Sequence, residues 1–168
     1  SLYSQTYRGF YIIIINDFDS NANKARNAGL RKVDTEFVLF SDNDIFWKKD
    51  AIEKMRQVLL EDRLVSYAYG AYEMDGNLHC NQPFNPVELR KRNFISTMSL
   101  VRTEDHPGFD ENIKRLQDWD VWLTMLENGY HGKFTGGVVF STPVRDGITK
   151  NGIPWNEAIN AIKKKHHL

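Results

Sequence analysis

The feature that most constrains this sequence is a run of four isoleucines at residues 12–15, directly after Phe10 and Tyr11. β-branched side chains favour extended backbone, and an apolar run without polar alternation is typical of a strand buried on both faces, as in a parallel sheet. Turn-forming residues at positions 16–20 end the run. We therefore predict a buried strand over residues 12–15.

A helix and a second strand follow at the spacing of a βαβ unit. Alanines recur on neighbouring turns of a helix predicted over residues 21–30, and Gly29 lies near its end. Residues 36–40 form the second strand, which is followed by Asp42, Asn43 and Asp44. We predict that the two strands lie parallel in one sheet, with the aspartates at its carboxyl edge.

The remaining chain continues to alternate between helices and strands. The pattern predicts helices over 48–60, 118–128 and 154–165, strands over 64–72, 94–101 and 134–140, and a loop over 78–92. Asp75 and Gly76 predict a hairpin turn after the strand at 64–72. With 168 residues, no repeat and no linker, the chain is predicted to be one α/β domain over residues 1–168.

Composition excludes several classes of protein. Lysine plus arginine equals aspartate plus glutamate at 22 each, so no overall basic charge indicates a nucleic-acid partner. No apolar run approaches the ~20 residues of a membrane span, and no signal-peptide pattern is present. The single Cys80 cannot form an internal disulfide and fits a reducing compartment. We expect a cytoplasmic location, with peripheral attachment at the membrane surface as an alternative.

The Asp42-Asn43-Asp44 segment is the first candidate site. Two carboxylates one residue apart on a turn can converge on one hard cation that keeps open positions for substrate phosphates. Solvated turn and cap acids are the alternative, and the three residues alone do not decide. The segment is no calcium EF-hand loop, because Trp47 occupies the required glycine position. The sequence also lacks the phosphate-loop and dinucleotide-binding glycine motifs.

A second candidate site lies at the start of the helix predicted over 118–128. Asp118 is placed where the positive end of the helix dipole favours an ionised carboxylate. Asp120 lies two residues further on and points to another face, so the two acids are unsuited to a shared task. A capping or first-turn acid is the alternative interpretation of Asp118.

Five segments occur together in one order: residues 4–7, 11–17, 25–29, 42–44, and 108–110 with 117–120. Their order and spacing resemble the inverting nucleotide-sugar glycosyltransferases of family 2, which have the GT-A fold. The resemblance covers about residues 4–144. It implies a Rossmann-type, mostly parallel sheet flanked by helices, and it favours a metal and nucleotide site at the Asp-x-Asp motif over a solvated turn.

The resemblance also implies roles for residues that match the family motifs. Asp17 matches the acid that contacts the nucleoside base, usually uracil. Arg26 and Asn27 match the edge of the nucleotide pocket. Bulky Phe18, near a glycine position of the family, and Gln117, where the family usually has glutamate, depart from the pattern.

The resemblance implies chemical roles for three acidic residues. Asp42 matches the acid near ribose and metal, and Asp44 matches the ligand of Mn²⁺ or Mg²⁺. Asp118 matches the general base that deprotonates the acceptor hydroxyl. Arg145 stands near the position of a family histidine and is a candidate diphosphate contact, with a solvated loop arginine equally open.

The resemblance implies a metal-dependent inverting transfer of a hexosyl or N-acetylhexosaminyl group in polysaccharide biosynthesis. The donor is a nucleotide diphosphate sugar, usually a UDP-sugar, and the acceptor is a hydroxyl of a saccharide or another molecule. Two alternatives remain: a truncated, non-catalytic nucleotide-sugar-binding or assembly module, and a phosphatase-like hydrolase with Asp42 as nucleophile. Phe46 weakens the latter because it replaces the threonine or valine of that motif.

The resemblance implies one more strand. Relatives have a strand upstream of residues 4–7 that lies between the strands equivalent to 12–15 and 36–40. We expect these two segments either to pair directly or to be completed by a second copy of the chain in a homodimer, because an unpaired edge of four isoleucines favours aggregation.

Overall fold

The computed structural model describes residues 1–16, 21–143 and 153–168. Its helices are α1 (Ala22–Leu30), α2 (Ala51–Glu61), α3 (Pro86–Lys91), α4 (Gln117–Glu127) and α5 (Trp155–Lys165). Its strands are β1 (Phe37–Leu39), β2 (Phe46–Trp47), β3 (Tyr67–Met74), β4 (Asn77–His79), β5 (Leu100–Arg102) and β6 (Gly132–Thr142). The alternation confirms the predicted α/β class.

The strands form one mixed sheet in the order β1-β5-β3-β6-β2, and β4 pairs with β3. Only β3 and β6 run parallel among the described pairings; the other pairings are antiparallel. The prediction of a mostly parallel sheet is therefore wrong. The reason is that β5 lies between β1 and β3 and runs against both, which the spacing of a single βαβ unit cannot show.

Apolar side chains cover both faces of the sheet. Tyr67 and Tyr69 of β3 face one core, which contains the buried tryptophans of α4. Ala68, between them, faces a second core built on α2. Side chains alternate between the two faces of a strand, so β3 supports both layers.

The main core depends on aromatic packing between β3 and α4. The Trp122 ring stacks on the Tyr67 ring with centroids 4.5 Å apart. The indole N–H groups of α4 also have partners: Trp119 donates to the Leu89 carbonyl at 2.7 Å and Trp122 to the Ile95 carbonyl at 2.9 Å. These contacts fix the position of α4 relative to the sheet, with its first turn at the rim of a cleft.

Several local predictions are confirmed, and the prediction of one loop is wrong. Helices form near the four predicted positions, and Asp75 and Gly76 form the β3–β4 turn with positive φ angles of 50° and 72°. The predicted loop over 78–92 contains β4 and α3 instead. Asn85 caps α3 by accepting hydrogen bonds from two backbone N–H groups, and Pro86 occupies the first turn, where a proline needs no N–H partner.

The strand predicted over residues 12–15 is absent. This segment has no regular secondary structure and no ladder partner among the described residues, and Ile14 is 78% exposed. The Tyr11 hydroxyl ties the segment to the body by donating a 2.6 Å hydrogen bond to the Asp34 carboxylate. β-branched residues favour extended backbone, but a strand also needs a neighbour, and here a cleft separates the segment from β1.

The predicted parallel pairing of residues 12–15 with residues 36–40 is therefore wrong, and so is their direct pairing. The second strand itself is confirmed as β1, which is an edge strand of the described sheet. Completion by a second copy stays a prediction.

Candidate functional site

A cleft of about 2600 Å³ brings together residues from distant parts of the chain. Its lining includes four of the predicted site residues: Arg26, Asp42, Asp44 and Asp118. Asp42 and Asp44 follow β1, Arg26 is on α1, and Asp118 is in the first turn of α4. Asn27 does not line the cleft, and Asp17 and Arg145 lie outside the described residues.

Arg26 links the two halves of the site. Its guanidinium Nη2 lies 3.1 Å from Asp42 Oδ1, and the same group stacks over the Phe109 ring at 5.4 Å. Its positive charge also opposes the burial that raises the pKa of Asp118. A guanidinium between two carboxylates reduces the repulsion between them, so both acids can face the same cleft.

Asp118 lies in an environment that disfavours its charge. Burial is the largest effect and raises the pKa of Asp118. Hydrogen bonds from the Trp119 backbone N–H, at 2.9 Å, and from the Asn93 side chain oppose the shift, as does the charge of Arg26. The helix dipole suggests a carboxylate kept readily ionised, but desolvation outweighs it. A raised pKa makes Asp118 a stronger proton acceptor once it is ionised.

Sequence reasoning missed three neighbours of Asp118: Asn93, Tyr72 and Cys80. Burial raises the pKa of Tyr72 to about 12, and the Asp118 charge contributes to the increase. Burial also raises the pKa of the Cys80 thiol to about 12, again with a contribution from Asp118. No motif marks these residues. They reach Asp118 only because β3, β4 and the segment after α3 meet at this end of the sheet.

Asn27 uses its side chain to hold a loop. Its Oδ1 accepts a hydrogen bond from the Phe109 backbone N–H at 2.8 Å, and its Nδ2 donates to the Phe109 carbonyl at 2.8 Å. The amide thus fixes the ring on which Arg26 stacks. A contact between Asn27 and a nucleotide stays a prediction.

The Asp-x-Asp motif places two carboxylates in the lining of the cleft. The Asp42 side chain is 51% exposed, and the motif turns back through a hydrogen bond from the Ile45 N–H to the Asp42 carbonyl at 3.4 Å. Within the described part of the chain, no group of three or more histidine, cysteine or acidic side chains could hold a metal ion. Two carboxylates without further protein ligands fit a hard cation that keeps water and phosphate in its coordination shell.

Comparison with known proteins identifies the family. The family model described as "Glycosyl transferase family 2" matches residues 2–109, which include α1, β1 and the Asp-x-Asp motif. The chain belongs to glycosyl transferase family 2. The family match ends before α4, so it does not include Asp118. The choice of Asp118 as a candidate site residue therefore depends on its position in the cleft.

Curated relatives of family 2 are bacterial glycosyltransferases. "Putative teichuronic acid biosynthesis glycosyltransferase TuaG" of Bacillus subtilis is 26% identical over 128 residues, or 70% of this chain and 50% of the relative. "UDP-Glc:alpha-D-GlcNAc-diphosphoundecaprenol beta-1,3-glucosyltransferase WfgD" of Escherichia coli is 25% identical over 137 residues, or 77% and 53%. The chain spans about half the length of these curated relatives.

The solved structure of S. aureus TarS residues 1–349 in complex with UDP is similar in fold. The TM-score is 0.58 at 15% identity, covering 84% of this chain and 42% of that chain. The likeness confirms the predicted GT-A-like fold. Family membership argues against the phosphatase-like alternative. Among the helices of the described residues, none is both long and apolar enough to cross a membrane.

The raised pKa of Asp118 predicts the effect of its replacement on stability. A carboxyl whose pKa is higher in the folded than in the unfolded state contributes stability when protonated and loses that contribution as pH rises through the folded-state value. We therefore expect Asp118→Asn to equal or exceed the wild type in melting temperature at pH 7, with a smaller advantage at pH 4. Thermal melts of both proteins from pH 4 to pH 8 measure this difference.

The matched control is Asp120→Asn in the same turn. Asp120 is 3% exposed and lies 2.8 Å from Lys165 Nζ and 2.9 Å from His166 Nε2. Breaking a buried charge pair is costly, so this variant should lose about 3 kcal/mol of unfolding free energy. Equal melting curves for the two variants would contradict the environments described for both acids.

Proposed function

We propose that this domain transfers a hexosyl or N-acetylhexosaminyl group, with inversion, from a UDP-sugar to a hydroxyl of a saccharide acceptor. The observation that carries the proposal is the meeting of Asp118 with the Arg26–Asp42 pair in one cleft. Family membership supports glycosyl transfer, and the relative named as a UDP-Glc-dependent glucosyltransferase supports a UDP-sugar donor. The UDP-bound TarS structure supports a nucleotide in a fold of this kind.

Asp118 is the general base of the proposed reaction. The acceptor hydroxyl attacks the anomeric carbon on the face opposite the departing diphosphate, the glycosidic bond forms as the sugar–phosphate bond breaks, and the hydroxyl proton passes to the Asp118 carboxylate. A positioned base typically contributes about 10² to 10⁴-fold to the rate. Burial raises the pKa of Asp118, which increases its affinity for that proton, and the charge of Arg26 opposes the increase.

Asp42 and Asp44 would hold the Mn²⁺ or Mg²⁺ of the proposed enzyme. Such a cation would supply positive charge against the diphosphate leaving group. Arg26 pairs with Asp42, so its guanidinium adds a second positive charge on this side of the cleft. We further propose that Asp17 and Asn27 contribute to the nucleotide pocket and that Arg145 contacts the diphosphate.

A second candidate function is a non-catalytic nucleotide-sugar-binding or assembly module that acts as a homodimer. The observation that favours it is the exposed isoleucine segment at residues 12–15, which faces the cleft beside the edge strand β1. A strand from a second copy would supply backbone partners to both sides of this gap. Peripheral attachment at a membrane surface is compatible with either candidate.

The first test of the proposed reaction is the Asp118→Asn variant. Asparagine keeps the shape and the capping ability of the side chain but cannot accept the proton. We expect transfer from a UDP-sugar to fall at least ~10²-fold while UDP binding stays unchanged. Glu104→Gln is the control because Glu104 is exposed and does not line the cleft. A wild-type chain that binds UDP and transfers no sugar would favour the binding module instead.

The metal site is tested by Asp44→Ala. Calorimetric titration with UDP, in the presence and absence of Mn²⁺, should show metal-dependent binding in the wild type and none in the variant. Asn43→Ala is the matched control, because it truncates the neighbouring residue of the same turn without removing a carboxylate. If Asp44→Ala still binds UDP in a metal-dependent manner, the Asp-x-Asp motif is a turn that does not bind the metal.

The homodimer is tested by a charge on the exposed segment. Ile14→Lys should convert a dimer to a monomer in sedimentation analysis, because a lysine at the gap interrupts strand addition. Leu64→Lys is the control, since Leu64 is 79% exposed and lies outside the cleft lining. A wild-type monomer, or a dimer that both variants retain, would show that the gap is not filled by a second copy.

A further inference from the structure

The end of the chain places two basic side chains against the first turn of α4. Lys165 Nζ lies 2.8 Å from Asp120 Oδ1, and His166 Nε2 lies 2.9 Å from the same oxygen. The other ring nitrogen of His166, Nδ1, lies 2.9 Å from Glu127 Oε1 at the end of α4. The His166 and Asp120 side chains are 2% and 4% exposed. The ring of His166 thus contacts both ends of α4, the helix that carries Asp118.

Hydrogen-bond chemistry restricts the form of His166 that fits here. Ionised carboxylate oxygens only accept hydrogen bonds, whereas a neutral imidazole has one donor nitrogen and one acceptor nitrogen. With a carboxylate at each ring nitrogen, the cationic ring donates to both, and the neutral ring leaves one carboxylate facing a lone pair. Among the described residues, the charged groups that contact the His166 ring are Asp120 and Glu127 of α4, and Lys165 of α5 bonds to the same Asp120.

These contacts act on the turn that contains Asp118. The Asp120 backbone N–H donates to the Leu116 carbonyl at 3.1 Å, and Leu116 has a left-handed backbone with φ of 63°. Such a conformation is unfavourable for leucine and persists only where surrounding contacts hold it. Asp120, fixed by the C-terminal segment, is one of those contacts. Asp118 lies between the two residues in the chain.

Lys165 extends the link to the other half of the cleft. Its Nζ also lies 2.8 Å from Asp110 Oδ2. Asp110 follows Phe109, whose ring supports the Arg26 guanidinium. The Lys165–His166 pair therefore contacts both the base-bearing turn and the loop beneath the arginine.

We propose that His166 is a positioning residue that holds the first turn of α4, and with it Asp118, in the orientation needed for proton abstraction. The proposal rests on the proposed function for its catalytic consequence. Among the described residues, the His166 side chain hydrogen-bonds with Asp120 and Glu127, so it acts on Asp118 through Asp120. Ala158 and Ile162, which are 3% and 0% exposed, anchor α5 in the main core independently of the histidine.

The test is His166→Gln, with His167→Gln as the matched control because His167 is the exposed neighbour. Glutamine can donate to Asp120, but its carbonyl then faces the Glu127 carboxylate, so one bond is lost. We expect kcat for sugar transfer to fall about 10-fold and the donor KM to stay within about twofold, because a displaced base slows the chemical step without weakening nucleotide binding. Amide hydrogen exchange in residues 117–121 should become faster. His167→Gln should change neither.

A second substitution makes the test specific. In the double variant His166→Gln/Glu127→Gln, the amide N–H of the glutamine at position 127 can donate to the side-chain carbonyl of the glutamine at position 166. Both kcat for sugar transfer and the rate of amide hydrogen exchange in residues 117–121 should therefore return towards their wild-type values. Unchanged exchange at 117–121 in His166→Gln would overturn the proposal. So would a lowered melting temperature with unchanged kcat per folded molecule, which is the signature of a purely structural contact. If the wild type transfers no sugar, the proposed function fails, and the exchange measurement still decides whether His166 holds the turn.

Discussion

The packing of α4 against β3 is the interaction on which the rest of the structure depends. The stacked Tyr67 and Trp122 rings and the two indole hydrogen bonds fix one face of α4 in the main core. Aromatic side chains of this size bury large apolar areas and also impose geometry. This packing fixes the orientation of α4, and its first turn therefore lies at the cleft. Asp118 faces the cleft, whereas Asp120 faces the C-terminal segment.

Among the described residues, Arg26 connects the charged groups of the site. Arg26 pairs with Asp42, lies over Phe109 and acts on Asp118, so the Asp-x-Asp motif and Asp118 share one positive neighbour. Desolvation raises the pKa of Asp118 while Arg26 lowers it, and the balance produces a carboxylate that holds a proton more strongly than a solvated acid does.

Much of the fold could be predicted because the signals are local. Helix periodicity placed α2 and α4, and the Asp75-Gly76 pair placed the β3–β4 hairpin. The motifs also identified Arg26, Asp42, Asp44 and Asp118, which now line one cleft. The isoleucine segment failed as a strand for a non-local reason. Side-chain preference can favour extended backbone, but only a neighbouring strand can complete the ladder, and none lies beside this segment in the described structure.

The sequence by itself determined most of the element types, although not those over 12–15 and 78–92, together with the family motifs and the chemistry that their side chains can offer, because these depend on neighbours within a few residues. Tertiary structure alone decided the mixed strand order, the contact between Arg26 and Asp42, and the burial that raises the pKa of Asp118. It also decided that Asn93, Tyr72 and Cys80 lie close to Asp118, and that His166 reaches Asp120 across 46 positions. Desolvation and charge pairing depend on distance in space, which side-chain identity and spacing do not specify.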